Sequence, residues 1–222
     1  MPYRKVDLEN NEIYHVINRS IAKFCIYNNN ADYQRFIDLI GFYNFKNLPT
    51  KYSYYNRLKI LEKQKIIAKL NLYEKNVEIV AYCLMPNHFH LLLRQNTDNG
   101  ISNFMRLVQN SYAKYFNTKY HRKGPLFESA FKVIHIESDE QLLHVSRYIH
   151  LNPVSANMID VDDIDTFAWS SYSEYLNNKH SRVIAKKIVL NHFHDAKEYD
   201  SFVKNQADYQ KELQNIKNLI LE

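Results

Sequence analysis

Residues 77–94 contain two apolar runs, VEIVAYCLM and HFHLLLR, which are separated only by Pro86 and Asn87. Apolar runs of this length that are bounded by a turn residue are typical of buried strands. Proline cannot donate a hydrogen bond within a sheet, so the first strand is predicted to end before Pro86 and the second to begin at His88. The centre of the chain is therefore predicted to be a β-sheet.

Two further strands and several helices are predicted around this centre. EIYHVIN, residues 12–18, is typical of a strand, and apolar residues at helical spacing after Asn30 indicate an amphipathic helix. A second helical stripe spans residues 101–116. PLFESAFKVIHIE predicts the last strand, in which Val133 and His135 share a face.

The helix after this strand has a clear start and a predicted stop. Ser138 and Gln141 form a capping box for a helix that begins at Asp139. Proline disfavours helical geometry in the residue before it, so this helix is expected to end or bend at Asn152, before Pro153.

The order strand, helix, strand, strand, helix, strand, helix predicts an α+β fold, an antiparallel sheet with helices on one face. Residues 48–76, which are rich in Lys and Tyr, are predicted to form a helical insertion. We expect one domain over residues 1–178 and a helical C-terminal extension over residues 179–222.

Composition narrows the classes of function. The 222 residues are 45% apolar and include no run near the roughly 18 apolar residues that cross a bilayer, and the first residues lack a secretion signal, so we expect a cytoplasmic protein. Cys25 and Cys83 have no paired spacing and are predicted to be buried free thiols. The net charge of +5 favours polyanionic partners without identifying them.

The tetrapeptide NHFH occurs twice, and only its first copy is predicted to form a site. Side chains alternate between the faces of a strand, so His88 and His90 should project to one side, where a single ion can bridge them. His192 and His194 lie near a predicted helix start at Asp195, which should separate them. An HxH pair alone remains a moderate signal for a metal.

Five motifs in order resemble the REP-associated and insertion-sequence-200-like tyrosine transposases of the HUH endonuclease superfamily. They are LMPNHFHLLLR, FMRLVQNSYAKYFN, KGPLFESAFK, RYIHLNPV and WSSYSEYL, and YHVINR resembles the first strand of that family. The resemblance implies a ferredoxin-like core and a metal-dependent endonuclease that acts on single-stranded or hairpin DNA. It also implies a covalent 5′-phosphotyrosine intermediate.

The same resemblance implies the site residues. His88, His90 and Asn152 would bind Mg or Mn, and Tyr148 would attack the DNA. Tyr148 and Asn152 are four residues apart and share one helix face. Four Tyr–Asn pairs in this chain have that spacing, so spacing alone does not choose among them and the choice of Tyr148 rests on the resemblance.

DNA binding calls for cations along the backbone path. The candidates for phosphate contacts are Arg106, Lys114, Lys119, Arg122, Lys123 and Lys132. Family members tend to carry Arg where this chain has Ala130, so one expected contact is missing.

Three alternatives stay open at this point. The protein is a catalytic transposase or a domesticated relative, a DNA-binding protein that has lost cleavage, or a metallohydrolase that uses the HxH pair differently. A homodimer is compatible with the first of these.

Overall fold

The computed structural model describes residues 7–70, 72–128, 130–177 and 183–206. Its centre is a four-stranded sheet with the order β2-β3-β1-β4, in which all neighbouring strands are antiparallel. The strands are β1 (Ile13–Arg19), β2 (Val77–Met85), β3 (His88–Gln95) and β4 (Lys132–Ile136).

Eight α-helices are described in these ranges, together with 3-10 helices at Ile21–Lys23 and Val161–Thr166. They are α1 (Asn30–Tyr43), α2 (Tyr52–Tyr55), α3 (Ile60–Leu70), α4 (Gly100–Lys119), α5 (Asp139–Ser155), α6 (Tyr172–Leu176), α7 (Lys187–Leu190) and α8 (Ala196–Lys204). No described helix is long and apolar enough to span a membrane.

The strand order and the two connecting helices α1 and α4 give the predicted ferredoxin-like arrangement, which confirms the α+β fold class. Both helices cover one face of the sheet, where the rings of Phe36, Phe89 and Tyr112 pack together. Helix α5 crosses the opposite face and packs mainly against β2. The predicted helical insertion contains α2 and α3, whereas the predicted domain boundary at residue 178 lies outside the described residues.

The chain after α5 covers the β2 edge and the back of α5. Leu84 N–H donates to the Trp169 carbonyl, and Ala185 N–H donates to the Ile79 carbonyl. Buried His150 of α5 then contacts residues beyond that edge: its Nδ1 lies 2.7 Å from the hydroxyl of Tyr199 in α8, and its Nε2 lies 2.8 Å from Ser171 Oγ. These contacts fix α5 against the sheet.

Helix α5 begins as predicted, since the Ser138 hydroxyl accepts from Gln141 N–H. It does not end at Asn152 but continues to Ser155. Pro153 leaves the Ile149 carbonyl without its usual donor, and Asn152 Nδ2 lies 3.5 Å from that carbonyl and 2.9 Å from the Tyr148 carbonyl. A side-chain amide thus replaces the missing backbone donor, and the helix gains a further turn.

The predicted burial of the two cysteines holds for one of them. Cys83 on β2 is buried, whereas Cys25, in the loop after β1, is exposed. The loop position of Cys25 leaves its thiol outside the packed core.

A buried carboxylate joins the two helices that support the sheet. Asp32, in the first turn of α1, is fully buried and accepts from Lys119 Nζ at 2.6 Å, from the Tyr120 hydroxyl at 2.6 Å and from the Tyr115 hydroxyl at 2.8 Å. Burial alone would raise its pKa, but these donors hold the pKa of Asp32 below its usual value. The start of α1 is thereby tied to the end of α4.

We expect Asp32→Asn to lower the free energy of unfolding by roughly 2 kcal/mol or more, because hydrogen bonds to a charged group contribute about 1.5–3 kcal/mol each and an amide turns two hydrogens toward donors. Urea denaturation at pH 7 measures the change. Asp162→Asn, an exposed change of the same kind, serves as the control. Equal stability of the two variants would contradict a structural role for Asp32.

Candidate metal and nucleophile site

The alternation of side chains along β3 separates the core from the site. Phe89 faces α1 and packs on Phe36, so His88 and His90 face the other side, where their ring centres are 5.0 Å apart. In the antiparallel register Arg19 lies opposite His88, and Ile17 lies opposite His90. The predicted common face of the two histidines is therefore present.

Helix α5 brings the other two predicted residues to the same place. The Tyr148 ring lies edge-on to His90 with 5.6 Å between ring centres, and Asn152 follows one turn later. All four line a pocket of about 250 Å³. The described residues that line it are Ile17, Asn18, Arg19, Met85, His88, His90, Glu128, Lys132, Tyr148, Asn152, Ser155 and Ala156.

Each candidate metal ligand is held by one of its two polar atoms. His88 Nδ1 lies 2.6 Å from Asn87 Oδ1, and His90 Nδ1 lies 3.0 Å from His15 Nε2. Asn152 donates from Nδ2 to backbone carbonyls of its own helix. Within the described residues, the Nε2 atoms of the two histidines and Asn152 Oδ1 make no hydrogen bond, so these three atoms are the ones that could face a cation.

Burial sets the protonation of the site. Burial, with a smaller contribution from Arg19, lowers the pKa of His88 to about 4, and burial holds the pKa of His90 well below 6.5. Burial also lowers the pKa of His15 to about 4. These imidazoles are neutral at pH 7, which is the form that binds metals. Burial raises the pKa of Tyr148, so its phenol is protonated.

The donor set fits a divalent cation. Two imidazoles on one ion at metal–nitrogen distances of about 2.1 Å have ring centres roughly 4.5–5.2 Å apart, a range that includes the 5.0 Å between His88 and His90. The carbonyl oxygen of Asn152 suits Mg or Mn. No group of three or more His, Cys, Asp or Glu residues in the described ranges could hold a metal, so Asn152 is needed to complete the set.

Most of the predicted phosphate-binding cations lie away from the pocket. Of the six, only Lys132 lines it. Lys119 is paired with Asp32, and Arg122 donates to the Pro125 carbonyl while its guanidinium stacks on Phe24. The other three, Arg106, Lys114 and Lys123, are exposed, and their contacts with DNA stay predictions.

Two residues at the site, one that lines the pocket and one that contacts His90, are not among those predicted from the sequence. Arg19 lines the pocket opposite His88, and no described residue pairs with its guanidinium. His15 contacts His90 from β1. The alternation of His15, Ile17 and Arg19 in EIYHVINRS places them on one strand face, but only the β1–β3 pairing shows that this face belongs to the site.

The second NHFH copy forms no comparable arrangement. His192 and His194 are exposed in the turn between α7 and α8. Asp195 caps α8 as predicted, because its Oδ1 accepts from the N–H groups of Lys197 and Glu198. The helix start therefore accounts for this stretch of sequence.

Comparison with known proteins finds a matching family and matching solved structures. Residues 50–152 match the model of the family described as transposase IS200 like, a segment that contains all four predicted site residues. A solved structure of a REP-associated tyrosine transposase bound to a REP hairpin matches with a TM-score of 0.53 at 15% identity, over 83% of this chain and 92% of that chain. At that identity the similarity shows a common fold. No curated protein matches the chain.

The low pKa values of the buried histidines predict that the folded protein becomes less stable as the pH falls. Between pH 6.5 and about 4 the unfolded chain binds protons that His15 and His88 do not bind in the folded protein, so the free energy of unfolding should decrease as pH falls through this window. Each such group contributes up to about 1.4 kcal/mol per pH unit. Urea titrations of metal-free protein at pH 6.5, 6.0, 5.5 and 5.0 measure the slope.

We expect His88→Gln to reduce this slope and His192→Gln, at the exposed second copy, to leave it unchanged. The slope is the relevant quantity, because His88→Gln also removes the hydrogen bond to Asn87 and lowers stability at every pH. A slope in His88→Gln as steep as in the wild type would contradict the assignment.

Proposed function

This chain belongs to the family of IS200-like transposases through its residues 50–152, and from this membership we propose that it is a metal-dependent enzyme that cleaves and rejoins single-stranded DNA. The observation that carries the proposal is the meeting of His88, His90, Tyr148 and Asn152 in one pocket. Two elements distant in sequence, β3 and α5, supply a metal-binding set and an adjacent phenol.

Each of the four residues has a role in this proposal. His88 and His90 through Nε2, and Asn152 through Oδ1, would hold a divalent cation, Mg or Mn, which when bound neutralises charge on the scissile phosphate. Asn152 keeps its oxygen turned away from the helix because its nitrogen is bound to the Tyr148 carbonyl. The same hydrogen bond links the last ligand to the residue that carries the nucleophile.

Tyr148 supplies the nucleophile. Its phenol oxygen forms a bond to phosphorus, and the bond from phosphorus to the 3′-oxygen of the preceding nucleotide breaks. The phenol loses its proton as this bond forms, and the leaving 3′-oxygen gains one from solvent. The products are a 5′-phosphotyrosine and a free 3′-hydroxyl. A second 3′-hydroxyl can reverse the step and join new ends without ATP.

Arg19 and Lys132 are the cations best placed to bind the phosphate. Both line the pocket, and Arg19 lies directly across the β1–β3 pair from His88. A guanidinium can donate two parallel hydrogen bonds to one phosphate. Arg19 therefore complements the candidate cations on α4, which is on the other face of the sheet.

The substrate we propose is single-stranded DNA with hairpins. The matched solved structure is of a REP-associated transposase bound to a REP hairpin, and this chain has a comparable fold and a net charge of +5. We expect the protein to act in the cytoplasm. A homodimer stays a prediction, and a single copy of the chain already contains all four site residues.

The alternatives from the sequence gain no specific support. A binding protein without cleavage has no need for a phenol beside a metal-binding set. A dinuclear metallohydrolase needs additional acidic or histidine ligands, and among the described residues that line the pocket Glu128 is the one carboxylate.

Tyr148→Phe should abolish a covalent protein–DNA adduct, with a loss of more than about 100-fold, because no other hydroxyl is expected to replace the nucleophile. The measurement incubates the protein with Mn²⁺ and a labelled hairpin oligonucleotide from the flanks of its own gene, followed by denaturing electrophoresis. Tyr54→Phe, an exposed tyrosine in α2, is the control. Adduct of wild-type yield in Tyr148→Phe would show that the nucleophile is another residue.

Arg19→Gln should slow adduct formation by about 10- to 100-fold through loss of charge stabilisation at the phosphate. Single-turnover rates with the same oligonucleotide measure this effect. Arg106→Gln removes the same charge from the exposed surface of α4 and should have a much smaller effect. Equal losses in the two variants would mean that net charge, rather than the position of Arg19, governs the rate.

A further inference from the structure

His15 is a buried polar residue that the proposed reaction does not use. It lies on β1, two residues before Ile17, and its side chain is on the same sheet face as His90. Only 4% of its surface is exposed. Its ring packs against His90 with centres 5.2 Å apart and lies edge-on to Tyr148 at 6.0 Å.

The contact between His15 and His90 is a hydrogen bond between two rings. His15 Nε2 and His90 Nδ1 are 3.0 Å apart, so one nitrogen carries the proton and the other accepts it. If His90 donates, its proton is on Nδ1 and its Nε2 carries a lone pair. If His15 donates, the proton of His90 is on Nε2, and that nitrogen cannot bind a cation.

His88 shows which position of the ring proton allows a histidine to bind a metal through Nε2. His88 Nδ1 faces Asn87 Oδ1 at 2.6 Å, and a carbonyl oxygen can only accept. The proton of His88 is therefore on Nδ1, which leaves its Nε2 as the lone-pair atom. For His90 to match, His15 Nε2 must be the acceptor.

We propose that His15 is a positioning residue that accepts the Nδ1 proton of His90 and so keeps the His90 Nε2 lone pair available to a divalent cation. The inference rests on the proposed metal-binding function of His88, His90 and Asn152. An outer hydrogen-bond partner of this kind fixes both the tautomer and the orientation of a ligand.

Two variants of His15 separate hydrogen bonding from packing. In His15→Gln the side-chain carbonyl can reach the position of Nε2 and accept the same proton. His15→Leu fills similar space without an acceptor. His135→Leu is a matched control, because His135 lies on β4 with its ring against Tyr14 on the opposite face.

Mn²⁺ affinity of the DNA-free protein, measured by electron paramagnetic resonance, should fall about 10- to 100-fold in His15→Leu. His15→Gln and His135→Leu should stay close to the wild type. Circular dichroism melting in the absence of metal reports whether each variant is folded. Wild-type affinity in a folded His15→Leu variant would overturn the inference, whereas failure of the wild type to bind Mn²⁺ would overturn the proposed metal site itself.

Nitrogen-15 NMR of the imidazole rings tests the same point on the wild-type protein itself. We expect the wild-type, metal-free protein to carry the His90 proton on Nδ1, with His90→Gln used to assign the signals. A His90 proton on Nε2 would overturn the role of His15 whatever the metal affinities are.

Discussion

The register between β1 and β3 is the constraint on which the site depends. Because Ile17 pairs with His90, His15 and Arg19 emerge on the same face as His88 and His90. A slip of one residue would turn both β1 side chains toward the apolar face. The buried aromatic residues between the sheet and α1 hold this register, so the packing of the core also determines the composition of the site.

Helix α5 brings Tyr148 and Asn152 to the site, and contacts of His150 with other parts of the chain hold this helix in place. His150, two residues after Tyr148, is buried between the Tyr199 hydroxyl and Ser171 Oγ, and Ser171 also accepts from the backbone of Tyr82 in β2. One imidazole thus joins the helix to the sheet edge and to α8. Tyr148, the proposed nucleophile, would need little reorganisation before attack when held in this way, which is where preorganised sites gain rate.

Features that depend on the spacing of nearby residues can be predicted from the sequence. Contacts between residues that are distant in sequence cannot. The element order, the common face of His88 and His90 and the cap at Ser138 all follow from spacing within a few residues. Partners distant in sequence do not: His15 and His90 are 75 residues apart. Its positive charge makes Lys119 a candidate for a phosphate contact, and nothing near it in the sequence points to its pairing with Asp32, which is 87 residues away.

The end of α5 is a second feature that local sequence rules do not predict. The rule about proline predicts that the helix ends or bends at Asn152, whereas the structure shows an additional turn. Asn152 compensates for Pro153 with its amide nitrogen, and that contact leaves the amide oxygen as the end that faces the pocket. His88 and His90 are held in a similar way, because the Nδ1 atom of each makes a hydrogen bond and the Nε2 atom makes none within the described residues. Three side chains that would otherwise rotate are each fixed by one polar atom, so the geometry of the site is set before any ligand binds.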